Sequence, residues 1–108
     1  MELLRFEVRC ELRIRSLSEL GDGGNVSTEV TFLVQPPASI ARPHSEVRNE
    51  LDPIFLKRAE LLKRRSPVTV SVPREWFDRR LTTWRDEIID KALEQTETSD
   101  FGQRQYSR

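Results

Sequence analysis

The chain carries one imidazole, His44, and one thiol, Cys10, thirty-four residues apart. A zinc site needs closely spaced pairs of soft ligands, so these two define no metal motif. A Ser-His-acid or Cys-His nucleophile would have to use His44, which stands beside Pro43 at what reads as a loop edge, with no nucleophile turn nearby. Cys10 falls on the apolar side of an alternating run and reads as a small core residue. Asp86, Glu87 and Asp90 come nearest to a carboxylate cation site, with Asp86 and Asp90 four apart on one helical face. Without acids converging from other elements, they read as a solvated face.

Gly21-Asp22-Gly23-Gly24 lacks the Lys-Ser/Thr of a phosphate loop and precedes a strand instead of a helix, so it reads as a hairpin loop. Asp100-Phe101-Gly102 matches three letters of the kinase magnesium motif in a chain without the other kinase elements. The expectation is a protein that is not an enzyme, with no catalytic, cofactor-binding or metal residues and no cofactor.

Charge is the one chemical feature with a pattern. Eighteen Lys plus Arg balance eighteen Asp plus Glu, and charged residues make up 33% of the chain, where about 25% is usual. The balance hides a polarity. Residues 57–85 hold nine bases (Lys57, Arg58, Lys63, Arg64, Arg65, Arg74, Arg79, Arg80, Arg85) against three acids, whereas residues 86–103 hold six acids against Lys91. Two uses are open to it. Opposite patches could pair between copies, with Arg79, Arg80, Asp86 and Asp90 as cross-chain partners and Trp76, Ile89 and Leu93 as apolar contacts. Alternatively, Lys63, Arg64, Arg65, Arg74, Arg79, Arg80 and Arg85 could hold nucleic-acid phosphates, with Trp76 stacked on a base. Zero net charge argues against long-range steering toward nucleic acid.

The elements that must position these residues follow from periodicity. Leu4, Phe6, Val8, Cys10, Leu12 and Ile14 alternate with Arg5, Glu7, Arg9, Glu11, Arg13 and Arg15, a strand with one buried and one charged side. After the glycine-rich turn, alternation resumes from Val26 to Gln35 and ends at Pro36-Pro37, completing a hairpin. Residues 38–44 read as a connecting loop and 45–51 as a short helical turn that breaks at Asp52-Pro53, an N-cap followed by proline at the first helical position. A helix over 53–65 then presents Ile54, Phe55, Ala59, Leu61 and Leu62 inward and closes on Lys63-Arg64-Arg65. Val68, Val70 and Val72 make a short third strand ending at Pro73. One long helix follows, with Phe77, Leu81, Trp84, Ile88 and Ala92 as its stripe. On that helix the arginines come early and the acids late, against the macrodipole.

These readings predict an α+β fold: an antiparallel sheet with a long N-terminal β-hairpin, in the order β-β-α-β-α, with helices packed on one sheet face. Residues 1–95 form the single domain and 96–108 a tail that is disordered when the protein is alone. A 108-residue chain has no room for a barrel or a doubly wound nucleotide enzyme. Charges interrupt the apolar residues of Met1-Glu2-Leu3-Leu4-Arg5-Phe6-Glu7, so no signal-peptide core can be drawn, and no stretch approaches the roughly 20 apolar residues of a membrane helix. A cytoplasmic protein without a membrane partner is expected.

Lengths add one inference. Twelve strand residues span about 40 Å at 3.3 Å each, more than the diameter of a compact chain of this size. If the hairpin protrudes, Ile14 and Val26 lie beyond the cover of two helices, and a second chain is the simplest cover. The leading expectation is a small interaction or assembly module that associates with another copy of itself. The alternative is a nucleic-acid-binding accessory protein using residues 57–85.

Overall fold

The computed structural model describes residues 2–16, 26–40 and 42–106. Its elements are β1 (Leu3–Ser16), β2 (Val26–Gln35), β3 (His44–Glu50), α1 (Pro53–Arg65), β4 (Val68–Pro73), α2 (Arg74–Asp78) and α3 (Trp84–Tyr106). The strands form one antiparallel sheet in the order β3-β2-β1-β4. The fold is α+β, as the alternation of β1 and β2 requires.

The even-numbered side of β1 is the core side. Leu4, Phe6, Val8 and Cys10 are buried; Val8 and Cys10 face Val34 and Phe32 of β2, Leu4 and Phe6 face Val72 and Val70 of β4, and buried Val30 faces Leu12. Ala59 and Leu62 of α1 and Ile88, Ile89, Ala92 and Leu93 of α3 close over this face. Phe6, Phe77 and Trp84 meet as a ring cluster with centroids 5.5 to 5.9 Å apart. The odd-numbered side of β1, bearing Arg5, Glu7, Arg9, Glu11 and Arg13, is exposed.

Helix α1 starts as its sequence dictates: the Asp52 carboxylate accepts a hydrogen bond from the Ile54 N–H at 2.9 Å, with Pro53 at the first position. At its other end the Ser66 hydroxyl donates to the Leu62 carbonyl at 2.8 Å and accepts the Cys10 N–H at 3.2 Å. One side chain thereby ties the end of α1 to the middle of β1.

Three expectations are corrected. Residues 45–51 do not form a helical turn; with His44 they make edge strand β3, paired with β2 from Val34↔His44 to Thr28↔Glu50. The element order thus gains a strand. The helix expected after Pro73 is two helices, because the chain turns between Arg79 and Thr83, and Leu81 is consequently 66% exposed instead of in the stripe. With α3 beginning at Trp84, Asp86 and Glu87 sit in its first turn, where the macrodipole favours them. The apparent conflict of charge with dipole came from joining two helices into one.

Ile54 is 73% exposed, off the stripe of Phe55, Ala59 and Leu62. Helix α3 itself is continuous past residue 95. Thr96 is buried and donates to the Ala92 carbonyl at 2.8 Å, and Arg58 of α1 donates to Glu97. The Gly21–Gly24 turn lies outside the described residues.

Candidate interaction surface

Two of the four residues singled out for charge pairing, Arg80 and Asp86, have partners inside the chain. Arg80 donates to Glu87 at 3.1 Å and to the Trp76 carbonyl at 3.1 Å, and its guanidinium lies 4.7 Å from the Trp76 ring centre. The Lys91 ammonium lies 5.4 Å from the same ring centre. Trp76 is half-buried between these cations. Asp86 accepts a hydrogen bond from Arg48 of β3 at 3.4 Å. Arg79 and Asp90 are exposed. Ile89 and Leu93, expected as contacts for a second copy, are core residues at 0% and 1% exposure and offer no surface.

The basic candidates do not form one patch. Lys63, Arg64 and Arg65 end α1 and Arg74 begins α2, and the six residues of β4 between them span about 20 Å. Arg74 grips Glu2 through two nitrogens at 2.8 and 3.3 Å, Arg64 donates to Glu60 at 2.8 Å, and Arg85 stacks 5.1 Å from the centre of Trp84. These contacts leave titration signatures. The Arg74 guanidinium holds the Glu2 carboxyl below the usual range, and Arg64 does the same for Glu60. The Glu87 carboxyl is lowered first by the Thr83 hydroxyl, which donates to it at 2.7 Å, and then by Arg80. Arg58–Glu97 and Arg80–Glu87 join the basic segment to the acidic one within the chain. Part of the charge polarity read along the sequence is therefore met within the fold.

Cys10 is buried and His44, half-buried, begins β3. Burial pushes the Cys10 thiol up to about 11 from an ordinary value of 9.0. Two units leave about one hundredth of the thiolate present in a free thiol at pH 8. Iodoacetamide should accordingly modify Cys10 at least about 100-fold more slowly in the native protein than in denaturant; equal rates would contradict its burial. Among the described residues, no three His, Cys, Asp or Glu side chains converge as a metal site.

Among the described residues, the most exposed large apolar side chain lies at the far end of the hairpin, while Leu3, Leu33, Val47 and Leu81 are exposed elsewhere. Ile14 is 78% exposed, although it continues the core side of β1. It sits opposite Thr28, which sits opposite Glu50, and exposed Leu51 and Ile54 follow at the junction of β3 with α1. Behind this row Leu12, Thr28, Pro53, Leu56, Lys57 and Glu60 line an open depression of about 460 Å³. Ile14 is exposed because β1 is longer than the helical layer that covers it. Leu51 and Ile54 were missed; the signal for Ile54 was its offset from the 55, 59, 62 spacing.

A second depression of about 410 Å³ lies between β4 and α3, lined by Val70, Ser71, Lys91, Glu94, Gln95 and Thr98. There the Gln95 side chain donates to the Thr69 carbonyl at 3.0 Å and blunts the outer edge of β4.

The geometry defines a two-layer α+β domain with one open sheet face and an uncovered hairpin end. No family model matches this chain, and neither a curated protein nor a solved structure matches it significantly. Among the described residues, no helix is long and apolar enough to cross a membrane.

Proposed function

We propose that the protein is a small, non-enzymatic, cytoplasmic assembly module that associates with another copy of itself through the far end of its hairpin. The observation that carries this reading is Ile14. It belongs by register to the core side of the sheet, yet α1 and α3 do not cover it. Leu51 and Ile54 are also exposed at this end of the sheet, across β2 from Ile14, and apolar exposure at a sheet end is a common mark of a contact surface. Nucleic-acid binding loses support, because Arg64, Arg74 and Arg80 are engaged with carboxylates and the candidate bases are divided between the two ends of β4.

Light scattering at micromolar concentration tests the proposal. The expected result is twice the 12.7 kDa chain mass, kept as salt rises toward 1 M. Apolar burial survives salt, whereas an interface held only by charge separates as the Debye length shrinks to about 3 Å. A monomer in both low and high salt overturns the proposal.

A further inference from the structure

We infer that two copies join edge to edge along the outer half of β1, in antiparallel register centred on Arg13, so that the two sheets become one. This rests on the self-association proposed above and names its surface.

The edge is open because the strands differ in length. β1 runs from Leu3 to Ser16, but β4 pairs with it only from Leu3 to Val8. Beyond Val8 the β4 side of β1 has no strand among the described residues. The direction of its backbone groups follows from two hydrogen bonds. Glu2 accepts the Arg74 N–H at 3.0 Å, and the Cys10 N–H reaches Ser66 Oγ, so the even-numbered residues turn their backbone groups away from β2. Leu12 and Ile14 belong to that set. Their N–H and C=O groups face outward, beside an apolar side chain that is itself uncovered.

Register then limits the occupant. Two antiparallel copies of this edge keep their core sides together only if paired residue numbers sum to an even value. A sum of 24 pairs Val8 with Ser16 of the other copy, where Val8 already has Val68, and needs the Cys10 N–H that Ser66 holds. A sum of 28 sets Arg13 against Arg15, like charge against like charge, twice.

A sum of 26 uses only residues 11–15. Leu12 and Ile14 of opposite copies exchange both backbone hydrogen bonds, their side chains meet on the core side, and Glu11 faces Arg15 on the open side. Arg13 meets its own counterpart on the two-fold axis, with Glu29 as its cross-strand neighbour in each copy. Glu11 and Glu29 balance Arg13 and Arg15 in each protomer, so the strip brought together is neutral.

Two variants of the full chain test this arrangement. Arg13 occupies a non-hydrogen-bonded site, where facing Cα atoms lie about 4.5 Å apart, within disulfide range. Arg13→Cys should therefore form a covalent dimer under mild oxidation, while Arg5→Cys, on the stretch paired with β4, should not. Ile14→Pro removes an outward N–H that the sheet does not use. It should halve the solution mass with the melting transition retained. A native dimer in which Arg13→Cys fails to cross-link, or in which a folded Ile14→Pro keeps full mass, overturns the edge pairing and leaves self-association standing. A monomeric native protein overturns both.

Discussion

Val8→Asp should abolish cooperative unfolding altogether. Val8 has no exposure to solvent, faces Val34 on one side and Val68 on the other, and lies under the helical layer. A carboxylate placed there meets no cation or donor, and a buried unpaired charge costs several kcal/mol. Whole domains of this size are stable by only about 5–15 kcal/mol. This one draws on a hydrophobic fraction of 36%, below the usual share. The variant should show collapsed amide dispersion and no melting transition. A normal transition would mean that β1 is not the central strand of the core.

Phe6→Ala should be the next most damaging change and should leave a folded but weakened protein. The Phe6 ring touches both Phe77 and Trp84, which also touch each other, so its removal opens a cavity at the meeting point of β1, α2 and α3. Phe→Ala in a core costs about 3–5 kcal/mol. A chain of this length loses several degrees of melting temperature per kcal/mol, a drop on the order of 20 °C. The urea midpoint should fall with little change in slope, because the surface exposed on unfolding is nearly the same. Leu3→Ala, at an exposed position of the same strand, should stay within about 0.5 kcal/mol of the parent. Equal effects from both substitutions would show that the three rings do not carry the packing described.

The local elements were legible where a residue's own chemistry decides its conformation. The alternation from Leu4 to Ile14 leaves no helical solution, Asp52-Pro53 starts a helix wherever it docks, and Val68-Thr69-Val70 suits a strand by side-chain shape. What stayed hidden depends on a neighbour.

β3 has no apolar alternation: His44, Glu46, Arg48 and Glu50 occupy its core side. It becomes a strand because β2 has a free edge to satisfy and because Arg48 can lie 5.4 Å from the Phe32 ring centre while donating to Glu46. The break at Arg79–Thr83 was invisible for a related reason. Phe77, Leu81 and Trp84 have helical spacing, but turning the chain between them lets Phe77 and Trp84 both reach Phe6, at the expense of Leu81.

Charge behaved in the same way. Sequence order separated a basic segment from an acidic one, and folding brought Arg58 to Glu97 and Arg80 to Glu87. The length of β1 was determined by the sequence alone. That its outer half faces no strand on one side among the described residues was decided only in three dimensions, because a short β4 satisfies Leu3 to Val8 and then gives way to Ser66 and α1, leaving the backbone groups of Leu12 and Ile14 turned outward.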